Sequence, residues 1–128
     1  MKEIFAVIRM NKMNVTKLAL GEAGLPSFTA RKVMGRGKGQ VDYMLLQGAE
    51  AGYDEAINQL GPGPKMIPKR MLTMIVPDAM VDTAVQTIIH VNKTGQKGDG
   101  KIFVLPVLDA IRVRTGESGD QVLDEESK

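Results

Sequence analysis

The sequence has no cysteine. That excludes a disulfide scaffold, a thiolate zinc site, an iron–sulfur cluster and a cysteine nucleophile. It has one histidine, His90, which excludes a multi-histidine metal centre within one chain. Tryptophan is absent, and tyrosine and phenylalanine together supply five aromatic rings. None sits in a basic–aromatic strip of the kind that stacks bases, so no nucleic-acid partner is expected. No run of about 18 apolar residues occurs, so no membrane insertion is expected either. Met1-Lys2-Glu3 leads into five apolar residues before Arg9, too few for a secretory core. The expected location is cytoplasmic.

What remains is one domain of 128 residues, 43% hydrophobic and 25% charged. That suffices for a small core, which oligomerisation would help to stabilise. The net charge is only +2, but it is unevenly spread. Residues 117–128 hold five acids and one base, a net −4, leaving sixteen bases against ten acids, or +6, on residues 1–116. The boundary separates a folded unit, 1–116, from an acidic C-terminal tail, 117–128. Glycine is concentrated too: seven of the 14 lie between Gly35 and Gly63.

The run Lys2–Arg9 is β-branched and aromatic, as in a strand covered on both faces. Asn14 is placed to cap a short helix that Gly24 ends. Phe28–Met34 reads as a second strand. Residues 35–68 lack clear periodicity and read as a long functional loop, with a possible short helix over 53–60. Arg70–Val76 is a third strand. Pro77-Asp78 opens a helix in which Met80, Val81, Ala84, Val85, Ile88 and Ile89 recur at helical spacing. Lys101–Val107 and a short Ala110–Thr115 complete the strands. Two βα-type units joined by a loop predict an α+β, ferredoxin-like βαββαβ sandwich, with helices on one sheet face and self-association on the other.

Four basic or glycine-rich elements could carry chemistry. Gly35-Arg36-Gly37-Lys38-Gly39 lets backbone approach a phosphate, although spaced glycines also make ordinary turns. Thr94–Lys101, with Gly95, Gly98 and Gly100, could form an anion-binding nest or a plain tight turn. It is not a P-loop, because no helix follows at the required spacing. Alternation on a strand would place Arg112 and Arg114 on one face as a phosphate fork, or as a solvated edge. Pro68-Lys69-Arg70 sits where the long loop meets its strand. Converging, the four would make a polyphosphate site. No serine–histidine–acid arrangement or metal cluster accompanies them, so no catalytic residue is assigned, and His90 reads as a packed helical side chain. The nine methionines read as core fillers.

The segment Thr94–Lys101, followed by Ile102-Phe103-Val104-Leu105-Pro106-Val107 and by Ala110-Ile111-Arg112-Val113-Arg114-Thr115-Gly116-Glu117, resembles the C-terminal signature of the PII nitrogen-regulatory signal-transduction family. Pro68-Lys69, Val76-Pro77-Asp78, Val81-Asp82-Thr83 and Thr87-Ile88-Ile89 resemble its second βα unit. Met1-Lys2-Glu3-Ile4 and Gly35-Arg36-Gly37 resemble its first half.

The resemblance implies a trimer binding ATP or ADP in clefts between subunits, with 2-oxoglutarate beside the ATP and its magnesium ion. By position it implies nucleotide contacts at Thr29, Gly35, Gly37, Lys38, Lys69, Gly98, Asp99, Gly100, Lys101, Arg112 and Arg114. It implies 2-oxoglutarate contacts at Gly37, Gly39, Gln40 and Lys69. Magnesium would be held through ATP, with Gln40 as a candidate ligand, because Gly39 stands where the family usually has glutamine. The loop is longer than usual by about eleven residues between Gln47-Gly48-Ala49-Glu50 and Pro68. That is similar to the GlnB-like proteins encoded in pairs beside nitrogenase genes. The implied function is a nitrogen-status regulator, not an enzyme, that contacts nitrogenase through residues 36–68 and inhibits it when fixed nitrogen is plentiful. The assembly would be a homotrimer or a mixed oligomer with a paired homologue. The alternative is a general regulator of an ammonium transporter or glutamine synthetase.

Overall fold

The computed structural model describes residues 1–25, 27–36 and 66–123. Four strands form one antiparallel sheet: β1 (Lys2–Arg9), β2 (Thr29–Gly35), β3 (Ile67–Val76) and β4 (Lys101–Pro106), in the order β2-β3-β1-β4. Two helices, α1 (Met13–Glu22) and α2 (Val81–Asn92), connect β1 to β2 and β3 to β4. This is the ferredoxin-like βαββαβ arrangement.

Alternation along the central strands determines which face is covered. Ile4, Ala6 and Ile8 of β1 and Leu72, Met74 and Val76 of β3 point to the helices and are buried with Leu20, Ala84 and Ile88. Burial of each such Leu or Ile contributes roughly 2 kcal/mol. The opposite face carries Phe5, whose ring meets Phe103 edge-on at 5.8 Å between centroids. There Phe103 and Leu105 remain exposed, as do Leu108, Ile111 and Val113 beyond the last strand.

The helices are joined by a buried polar bridge. Asn92 Nδ2 donates to Thr16 Oγ1 and to the Ile88 carbonyl, each at 2.9 Å, and the Thr16 hydroxyl donates to the Lys12 carbonyl at 2.7 Å. Gly24, at φ 85°, ends α1: Leu25 N–H reaches the Leu20 carbonyl at 2.8 Å and Gly24 N–H the Gly21 carbonyl at 3.1 Å. That paired pattern satisfies carbonyls left open by the last turn.

Three expectations are corrected. Asn14 is not the cap: a 3-10 turn, Met10–Lys12, runs straight from β1 into α1, so Asn14 already lies inside the helix. The third strand begins at Ile67, not Arg70, because the β2–β3 hairpin zips as far as the Gly35–Ile67 pair. Its Pro68 lies past the end of β1, where a missing N–H costs no rung on that side. Ala110–Thr115 is not a strand. Among the described residues no strand pairs with it; Ile111 makes an isolated bridge to Ser118, and residues 113–115 turn. The expected 53–60 helix lies outside the described residues.

Candidate anion-binding site

Register places the first two cations. Arg9 and Lys69 are partners on the last rung of the β1–β3 ladder, so both stand at the same end of the sheet. The loop from Lys93 to Gly100, between α2 and β4, is delivered to that end. Lys69 Nζ donates to the Gly98 carbonyl at 3.0 Å. Arg9, 8% exposed, donates from Nη2 to the Lys97 carbonyl at 2.9 Å and from Nη1 to the Asp99 carboxylate.

Asp99 is the hub of this loop. Its Oδ2 accepts the backbone N–H groups of Thr94 at 2.8 Å and Gly95 at 3.0 Å, while Oδ1 accepts the Thr94 hydroxyl. Burial would raise the Asp99 carboxyl; the Thr94 hydroxyl, the Arg9 guanidinium and those two N–H groups overcome it and hold the group well below the usual carboxylate range. The nest expected over Thr94–Lys101 therefore exists at Thr94 and Gly95, but the chain's own carboxylate fills it. Asp99 is better described as an organiser of the loop than as a direct ligand for an anion.

Gly100 shows how closely the loop is held. At φ 113°, a Cβ there would lie 2.0 Å from the Val7 carbonyl oxygen. Only glycine lets the loop enter β4 so near β1. Gly95 and Gly98 also take positive φ, 84° and 95°. Lys101 follows as the first residue of β4, exposed and opposite Val7.

A second basic group lies in the C-terminal segment. Arg112 Nη1 donates to Glu117 Oε1 at 2.8 Å, and its backbone N–H donates to the Glu117 carbonyl at 2.8 Å. Arg114 lies in the adjoining turn and is exposed. The alternating fork expected of Arg112 and Arg114 is absent, since there is no strand to impose it. Thr29 opens β2 opposite Thr73, and Gly35 closes it opposite Ile67. Within one chain, then, Lys69, Gly98, Asp99 and Gly100 are brought together. Thr29 lies on the edge strand, and Arg112 is engaged within its own segment. Gly37, Lys38, Gly39 and Gln40 lie outside the described residues.

Arg9 is the residue that the sequence reading missed. Its signal was an arginine ending an otherwise apolar strand, which reads as a mere strand terminus until the rung with Lys69 is known. Among the described residues, no group of three or more histidines and carboxylates is placed to hold a metal ion. Nor, among them, is any helix long and apolar enough to cross a membrane.

A cationic rung under a glycine loop, on a βαββαβ sheet, can be set beside known proteins. The profile described as "Nitrogen regulatory protein P-II" matches residues 1–117. The chain belongs to the P-II family. Among P-II relatives, "Nitrogen fixation nifHD region glnB-like protein 2" of Methanococcus maripaludis is 49% identical over 123 residues, 96% of this chain and 100% of that one. The protein of the same description from Methanobacterium ivanovii is 45% identical, over 96% of this chain and 99% of its own. "Nitrogen regulatory protein P-II 1" of Escherichia coli K12 is 39% identical, over 96% and 100%. These include the nitrogen-fixation-region GlnB-like group that the sequence resembles. The P-II profile spans both basic groups, from Arg9 to Arg114, and reaches Glu117.

Proposed function

We propose that this P-II protein is a nitrogen-status sensor that binds ATP or ADP with 2-oxoglutarate and regulates nitrogenase by direct contact. The observation carrying the ligand part is the Arg9–Lys69 rung, which sets two cations against the Gly98–Gly100 loop. Lys69 gives up its bond to the Gly98 carbonyl and neutralises a terminal phosphate or a 2-oxoglutarate carboxylate. Glycine backbone at Gly98 and Gly100 admits the polyphosphate closely, and Lys101 adds charge.

Arg112 and Arg114 complete the site in a trimer, where a neighbouring subunit brings its C-terminal segment to this loop. The exposed Phe103, Leu105, Leu108, Ile111 and Val113 supply apolar surface for that assembly. The oligomer is a homotrimer or is mixed with a paired homologue. Magnesium arrives with ATP, and Gly37, Gly39 and Gln40 join Lys69 as the 2-oxoglutarate-binding positions. Thr29, Gly35 and Lys38 contribute to the nucleotide side. The protein acts in the cytoplasm as a regulator, not as an enzyme.

The nitrogenase target rests on the nitrogen-fixation-region descriptions of relatives that align over 96% of this chain. Residues 36–68 form the contact, and ATP with 2-oxoglutarate releases it. Such a switch needs different ligand affinities in the docked and free states.

The test is calorimetry with ATP, ADP and 2-oxoglutarate, paired with a nitrogenase inhibition assay. Inhibition relieved by 2-oxoglutarate in wild type, and not relieved in Lys69→Ala, supports the reading. Inhibition indifferent to 2-oxoglutarate, or unchanged ligand binding in Lys69→Ala, overturns it.

A further inference from the structure

The guanidinium of Arg112 is already occupied, and by a group that competes chemically with phosphate. Its Nη1 donates to Glu117 Oε1 at 2.8 Å, and its Nη2 lies 3.5 Å from the Gln121 carbonyl. Both partners belong to the C-terminal segment, so one side chain holds that segment at two points. The backbone closes the same turn. Gly116 N–H donates to the Arg112 carbonyl at 2.7 Å, and Arg112 N–H to the Glu117 carbonyl at 2.8 Å. Gly116, at φ 75°, makes the reversal possible. Beyond it, Ser118 bridges Ile111, and the 3-10 turn Asp120–Leu123 rests against β3.

A carboxylate and a phosphate oxygen use the same N–H donors of a guanidinium. The Arg112 side chain is 16% exposed and that of Glu117 35%, so the pair is partly open to solvent and an incoming anion can reach it. A polyphosphate carries more charge than one carboxylate and satisfies both prongs of the fork. The segment that would be released is the acidic one, net −4 over residues 117–128.

We infer that Glu117 is an internal competitor for the anion at Arg112, so that nucleotide binding displaces Glu117 and Gln121 and frees the acidic C-terminal segment from the body of the protein. This rests on the nucleotide reading above and adds a regulatory device to it. The coupling is reciprocal: whatever pulls the segment away strengthens nucleotide binding, and nucleotide loosens the segment. The C-terminal segment then reports ligand occupancy separately from residues 36–68.

The experiment measures ATP affinity of the full chain by calorimetry for wild type, Glu117→Gln and Arg112→Gln. Glu117→Gln keeps the shape and removes the competing charge, so affinity should rise about two- to fivefold, the worth of a partly screened ion pair. Arg112→Gln should weaken it. Hydrogen exchange at residues 116–123 should speed up on saturation with ATP. Unchanged or weaker ATP binding by Glu117→Gln, with wild-type thermal unfolding, would mean that Glu117 positions Arg112 and would overturn the inference. Unchanged or slower exchange at 116–123 would overturn it as well. Absence of ATP binding by wild type overturns this inference and the nucleotide reading together, whereas binding without those two effects overturns only this one.

Discussion

Arg9 and Lys69 face each other on one rung of the sheet and hold the same loop by different means. Arg9 is buried and engages Asp99 and the Lys97 carbonyl; Lys69 donates to the Gly98 carbonyl, at 3.0 Å. The division predicts opposite phenotypes. Arg9→Met leaves Asp99 as an uncompensated charge and should cost about 3 kcal/mol, the low end for breaking a buried pair because Asp99 retains some exposure. Lys69→Ala should cost less, about 1–2 kcal/mol, while abolishing the 2-oxoglutarate response. Urea unfolding of both variants beside ligand titration separates the two roles.

Gly100 and Gly21 make a second contrast. Gly100→Ala puts a methyl 2.0 Å from the Val7 carbonyl oxygen at a φ of 113°, and should destabilise by at least about 3 kcal/mol. Gly21 lies within α1 with nothing within 4 Å of a built Cβ. Gly21→Ala should therefore stabilise by roughly 0.5–1 kcal/mol. Thermal unfolding of the two variants should shift in opposite directions.

Acid should unfold the protein through Asp99. A carboxyl depressed in the folded state favours folding above its unfolded value, about 3.9. That contribution disappears as pH falls through the folded value. Asp78, lowered by Lys2 and the terminal amine, and Glu117, lowered by the Thr115 hydroxyl, act in the same direction. Asp99→Asn should flatten the loss of stability below about pH 4 without removing it. Denaturant midpoints measured from pH 7 to 2 give the answer, and an unchanged acid limb contradicts the assignment.

The Thr16–Asn92 bridge should behave as a coupled pair. Thr16→Val leaves a buried Asn92 donor short of one acceptor and should cost about 1–3 kcal/mol. Asn92→Leu should also destabilise, but the double variant should lose less than the two added together. Additivity in that cycle would show that the hydrogen bond at 2.9 Å contributes nothing beyond packing.

Much of the architecture was legible in the sequence because apolar spacing declares it. Lys2–Arg9 and the helix after Pro77-Asp78 carry their periodicity openly. The Ala110–Thr115 strand was misread for a physical reason: alternation states a preference for extended backbone, but a strand needs a neighbour to pair with. Arg9 was illegible for a related reason, since its importance arises from a rung shared with a residue sixty positions away. The glycine loop announced its conformational freedom and not its occupant. That Asp99 fills the loop's own amides depends on how the loop folds back, which spacing alone does not encode.

The hairpin rungs from Thr29–Thr73 to Gly35–Ile67 have an evolutionary consequence. They clamp the two ends of the intervening segment, so both its length and its composition can drift without moving Arg9, Lys69 or the glycine loop. An insertion between Gly35 and Ile67 is thereby mechanically separated from the frame that carries Arg9 and Lys69: its length can change without altering the register of β2 on β3.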